Sequence, residues 1–176
     1  MQLWLTGFMG AGKTTAGRKV ARILNYPFLD CDAELEREHG PIAAIFKELG
    51  ENRFRELESA KIAEIAGTSD AVVAAGGGAV LDPANRLLMR SAGVIVYLAI
   101  SPAGALARVA HRDHRPILGP APDLQVISEL FASRTAAYSD HDLRVGVEGK
   151  APAAVAHIIA RWYRRHLANV RSKGKA

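Results

Sequence analysis

The stretch GFMGAGKTT, Gly7 to Thr15, decides the fold. It follows the apolar run QLWLT at residues 2–6 and precedes a segment in which Val20, Ile23 and Leu24 recur at helical spacing. A strand, a glycine-rich turn and a helix in that order are the context in which G-x-x-x-x-G-K-[ST] folds as a phosphate loop. Gly7, Gly12, Lys13 and Thr14 fill its defining positions. The glycines let the backbone turn so that N–H groups over Gly10, Ala11, Gly12, Lys13, Thr14 and Thr15 face phosphate oxygens. Lys13 is placed to reach the β- and γ-phosphates, and the Thr14 hydroxyl to ligate Mg²⁺. The helix that starts here adds its positive end. The loop is expected to bind ATP with Mg²⁺.

Working outward, apolar runs alternate with helical patterns. YPFLDCD (26–32) reads as a second strand, AVVAA (71–75) as a third, VIVYLAI (94–100) as a fourth, and residues 143–147 as a weak fifth. Helices are expected over 14–25, across a stretch at 33–66 broken near Gly40-Pro41 and Gly50, after Pro83, after Pro102, over 123–138 and from Pro152. Such alternation predicts an α/β fold with a parallel sheet covered on both faces. Ligands of such sheets lie outside the carboxyl ends of the strands, so motifs at strand ends carry the most weight. One domain over 1–168 is expected, with a helical insert at about 32–66, an exposed His-, Arg- and Pro-rich loop at about 111–122, and a frayed basic tail at 169–176.

Composition narrows the class. The chain has 176 residues, 49% hydrophobic and 23% charged, which is ordinary globular usage. No apolar run is long enough to span a membrane, and no leader pattern is visible at the N-terminus. Cys31 is the only cysteine, which fits a reducing, cytoplasmic setting. The net charge is +5, but residues 161–176 hold six of the 23 basic residues and no acid, leaving 17 basic against 18 acidic elsewhere. A basic balance confined to one end predicts no nucleic-acid partner. Guanine-reading N-K-x-D and D-x-x-G are absent, which argues against a GTP switch, and one short domain argues against a motor. His111 and His114 lack the further ligands a metal site needs.

Several residues stand where an acceptor for the phosphoryl group would bind. Asp30 and Asp32, two apart on a strand, would point to one side and serve the metal and an acceptor hydroxyl; Asp32 would alternatively cap the next helix. Arg55 and Arg134 offer bidentate grips for a carboxylate or surface ion pairs, with Glu58 one turn from Arg55. Gly76, Gly77 and Gly78 close the third strand and permit close approach of backbone to ligand. Arg115 sits where a mobile cation would cover the phosphates.

This set, in this order, resembles shikimate kinase over about residues 2–162. The resemblance is carried by GFMGAGKTT, FLDCD (28–32), IFKELGENRFRELES (45–59), GGGAV (76–80), HRPIL (114–118) and SRTAAY (133–138). It implies a nucleoside monophosphate kinase-like, three-layer P-loop fold with strand order 2-3-1-4-5. It implies shikimate contacts from Asp32, Arg55, Gly77 and Arg134, with Gly76, Gly78, Phe46 and Phe54 around them. It also implies Arg108 and Pro152 beside the adenine, Arg115 as the lid arginine, and Asp30 in the Mg²⁺ shell through water. Catalysis would rest on Lys13, Asp32 and Arg115 in a monomeric enzyme. A departure is the lid stretch AHRDHRPILGPAP (110–122), richer in His and Pro than that family leads one to expect. The alternatives are a kinase for another small hydroxy acid such as gluconate, or a nucleotide-dependent binding module without turnover.

Overall fold

The structure, a computed structural model, describes residues 1–109 and 123–173. Strand β1 (Gln2–Thr6) is buried at every position, so both faces of the sheet are covered there. Helix α1 (Lys13–Leu24) follows, presenting Ala16, Gly17, Val20 and Ala21 inward. It ends at Asn25, which takes the left-handed conformation that asparagine tolerates. Strand β2 (Phe28–Asp30) is short and half-buried, as expected of an edge.

Helix α2 (Cys31–His39) begins directly after it. Here the structure corrects the sequence expectation. Asp32 is not on the strand but in the first helical turn, and Asp30 is the helix cap, accepting from the Ala33 N–H at 3.4 Å. Successive helical residues turn by about 100° rather than alternate, so the two carboxylates owe their placement to a strand-to-helix corner, not to strand pleat. Gly40 and Pro41 separate α2 from α3 (Ile42–Ala66), which kinks at Gly50, where φ is +80°. The early part of α3 and α2 share a small core of Leu35, Ile45 and Phe54, distinct from the main core that receives Ile62 and Ile65.

Strand β3 (Val72–Ala74) is fully buried and leads through the three glycines to a 3₁₀ turn at Ala79–Leu81. Helix α4 (Pro83–Ala92) starts with Pro in its first turn and Asp82 as cap. Strand β4 (Gly93–Ala99), helix α5 (Pro102–Val109), helix α6 (Leu124–Tyr138), strand β5 (Leu143–Gly146) and helix α7 (Pro152–Lys173) complete the described chain. The strands form one parallel sheet in the order β2-β3-β1-β4-β5, with Leu3 beside Val72 on one side and Val94 on the other. The order reverses at β1, which places the phosphate loop at the switch point where such sheets bind ligands.

Helix α7 carries the basic segment in helical form as far as Lys173, and the last three residues of the expected tail lie outside the described residues. Among the described residues no helix is long and apolar enough to cross a membrane.

Candidate active site

The phosphate loop leaves β1 through Gly7, whose φ is +142° and where a β-carbon would lie 2.5 Å from the Leu98 carbonyl oxygen. Gly12, at φ +86°, caps α1 without any side-chain hydrogen bond, which leaves the first turn of that helix to a bound anion. Lys13 Nζ donates to the Gly7 carbonyl at 2.8 Å, folding back over its own loop. Thr14 Oγ1 donates to Asp30 Oδ2 at 2.6 Å, so the loop hydroxyl and a β2-end carboxylate stand together.

A cavity of about 450 Å³ opens over this loop and is lined by Gly10 to Ala16. Asp30, Asp32, Gly77, Arg108, Val147, Lys150 and Pro152 also line it. Arg108 donates to the Gly10 and Val147 carbonyls at 3.0 and 3.2 Å, tying the loop to the end of β5. Lys150 was not anticipated. It follows Gly149, whose φ of +68° marks a tight turn, and a basic residue after such a turn two places before Pro152 was the available signal.

A second cavity, about 660 Å³, lies beside the first and shares Asp32 and Gly77 with it. Its walls bring together Arg55 and Glu58 from α3, Arg134 from α6, Gly78, and the rings of Phe46 and Phe54. Those rings lie 4.6 Å apart between centroids, with the Arg55 guanidinium 5.2 Å from the Phe54 ring. Arg55 donates to Glu58 at 2.7 Å and to Glu51 at 3.1 Å. Burial pushes the Glu58 carboxyl above its ordinary value, and the Arg55 charge opposes that rise only in part. Arg134 is 5% exposed, its guanidinium 5.9 Å from the Phe8 ring, and its Nε has no hydrogen-bond partner among the described residues. A buried guanidinium with an unsatisfied N–H is costly unless an anion completes it.

The three glycines are explained by contact. A β-carbon on Gly76 would fall 2.2 Å from Glu58 Oε1 and 2.9 Å from Asp32 Oδ1. One on Gly78 would fall 2.5 Å from an Arg55 guanidinium nitrogen. Gly77 is held differently: Tyr138 donates to its carbonyl at 2.6 Å, and burial raises that phenol to about 12, keeping it a donor. In the sequence Tyr138 is only the last residue of SRTAAY; its part as a tether appears in the fold. Arg115 lies outside the described residues, as does the rest of the expected lid.

A phosphate loop at the switch point of a parallel sheet, opening into a second cavity with two arginines and a shared carboxylate, defines a small-molecule kinase of the P-loop class. The chain belongs to the shikimate kinase family, whose model matches residues 9–164. A shikimate kinase from Geobacter sulfurreducens is 44% identical over 163 residues, spanning 92% of this chain and 90% of that protein. Among solved structures, shikimate kinase from Acinetobacter baumannii in complex with shikimate is similar with a TM-score of 0.89 and 32% identity, covering 94% of this chain and 93% of that one. A gluconokinase from Sinorhizobium meliloti has a TM-score of 0.65 at 18% identity over 98% of this chain and 96% of that one, a likeness of fold alone.

Proposed function

We propose that the protein transfers the γ-phosphoryl group of ATP to the 3-hydroxyl of shikimate, giving shikimate 3-phosphate and ADP, a step of aromatic amino acid biosynthesis. The observation that carries this reading is the meeting of the two cavities at Asp32 and Gly77. One cavity has the loop for a triphosphate; the other has two arginines, one with an unpartnered buried Nε, for a carboxylate. The carboxylate of a small hydroxy acid held there leaves its hydroxyls toward the shared Asp32.

The assigned roles follow. Arg55 and Arg134 take the substrate carboxylate, with Glu58 holding Arg55 in place. Asp32 orients the attacking hydroxyl and stands within its reach to accept the proton. Lys13 leaves the Gly7 carbonyl to meet the phosphates, and Arg108, Lys150 and Pro152 flank the nucleotide. Arg115 closes over the phosphates. The donors suit Mg²⁺: Thr14 Oγ1 and Asp30 Oδ2 are both hard oxygens at the mouth of the loop, and Mg²⁺ takes one or two protein oxygens together with phosphates and water. Bound there it would neutralise charge spread over the transferring group. The reaction suits a cytoplasmic, monomeric enzyme.

The test is ADP release from ATP and Mg²⁺ with and without shikimate, with gluconate as control acceptor. Stimulation by shikimate and not by gluconate is expected. ATP binding without stimulation by either acceptor would leave the binding module as the reading.

A further inference from the structure

Helices α1 and α7 pack side by side on the sheet, and between them they carry nine basic residues and no acid. The rest of the chain holds 14 basic against 18 acidic residues, so the positive charge is gathered in one layer. Arg18, Lys19 and Arg22 share the outer face of α1, opposite the buried Ala16, Gly17, Val20 and Ala21. Arg161, Arg164, Arg165 and Arg171 lie exposed on α7, opposite the buried Val155, Ile159 and Tyr163. Arg164 donates to the Ile23 carbonyl at 2.7 Å and joins the two rows. None of the seven forms an ion pair among the described residues.

Two ordinary explanations fall short. Cations favour helix C-termini through the macrodipole, which accounts for Arg22 and Arg171 but not for the other five. Attraction of ATP would call for charge near the phosphate loop. Both helices start at the carboxyl edge of the parallel sheet, at Lys13 and Pro152, and these cations begin at Arg18 and Arg161, on the stretches that run away from that edge.

We propose that the outer face of α1 and α7 binds the phosphate backbone of duplex nucleic acid without reading its sequence. The cations span about 15 Å along α7 and lie in two rows roughly 8–10 Å apart, the reach of a few phosphates. Trp162 is half-buried and stacked on His166, so this face has no open aromatic platform of the kind that single strands use. The exposed side of α7 carries only two large apolar side chains, Ile158 and Val170, twelve residues apart, and lacks the broad apolar stripe of a membrane-surface helix. Through Lys173 the basic end is helical and forms part of a folded face with α1.

The test is fluorescence anisotropy of a labelled mixed-sequence duplex of about 20 base pairs, titrated with the full chain from roughly 50 to 200 mM salt. The expected result is weak binding, on the order of 10⁻⁵ M, with log affinity falling against log salt at a slope of about −4 to −6. The variant R161Q/R165Q/R171Q should reduce that slope by about 3 while retaining shikimate-dependent ADP release. Absence of binding at the lowest salt would overturn the proposal, as would an unchanged slope in the variant. Tighter binding to a single strand, to phosphatidylserine vesicles or to polyglutamate would also overturn it and assign the face to that other partner.

Discussion

Glu58, 1% exposed at the floor of the second cavity, accepts a 2.7 Å hydrogen bond from Arg55. A carboxylate so far from water is costly, and this one is retained beside a guanidinium that it orients. The raised Glu58 carboxyl means that the folded protein binds this proton more tightly than the unfolded chain does, with burial the main cause. Its contribution to stability is therefore complete below the ordinary value of 4.5 and is lost as pH rises through the folded value. E58Q, which stays neutral, escapes that loss. Urea melts at pH 4.5 and at about pH 7.5 should show E58Q gaining stability relative to the wild type as pH rises. A relative stability that falls with pH would mean that the ion pair outweighs the burial.

The same substitution should raise the KM for shikimate by roughly 10-fold and leave that for ATP unchanged. It removes one charge-assisted hydrogen bond that positions Arg55, and nothing from the phosphate loop. Steady-state kinetics with each substrate varied in turn would separate the two constants.

Arg134 lines the cavity, and its Nε has no hydrogen-bond partner among the described residues. R134A should weaken shikimate binding by about 100-fold or more, the usual cost of removing one partner of a buried charge pair, and spare ATP. R134K should rescue little, because an ammonium cannot reproduce the planar fork. An unchanged KM for shikimate in R134A would remove Arg134 from the acceptor site.

At Gly78 an added methyl would sit 2.5 to 2.8 Å from three guanidinium atoms of Arg55. G78A should therefore act as a displaced Arg55, raising the KM for shikimate by about 10-fold with a near-normal thermal midpoint, because the obstructing atoms are the far end of a flexible side chain. Loss of the fold in G78A, read by circular dichroism, would show that the glycine serves the backbone instead.

Cys31 has no exposed surface, and burial together with the neighbouring Asp32 and Asp30 raises its thiol well above the ordinary range. The thiolate is the reactive form, so the folded protein should resist a thiol reagent at pH 8 and react within the dead time in denaturant. Rapid labelling of the native protein would contradict the placement of Cys31 under the acids.

Much of the site was legible as local pattern. The phosphate loop reads from sequence because its function depends on consecutive backbone N–H groups and a glycine at each strained position. The alternation of apolar strands and amphipathic helices likewise predicts a parallel sheet, since both faces of each strand must be buried. Asp30 and Asp32 were legible as a pair but not in geometry. Whether the chain turns into a helix at Cys31 depends on one capping hydrogen bond at Asp30, which residue spacing does not distinguish from one more strand residue.

Sequence by itself determined the strand–loop–helix that cradles phosphate, the helix breaks at Gly40 and Gly50, and, through resemblance, the family. Tertiary structure decided what the long-range pairs do. Arg55 and Arg134 are 79 positions apart and each, alone, reads as a surface cation; the fold brings α3 and α6 to the same 3₁₀ turn and both arginines into the lining of one cavity. Gly76 and Gly78 are small because Glu58, Asp32 and Arg55 crowd them from elsewhere in the chain. The basic end became a surface only when α7 was laid against α1. Local conformation follows from steric and hydrogen-bond preferences of neighbouring residues, whereas desolvation and charge pairing are set by which distant groups the fold brings within a few ångströms.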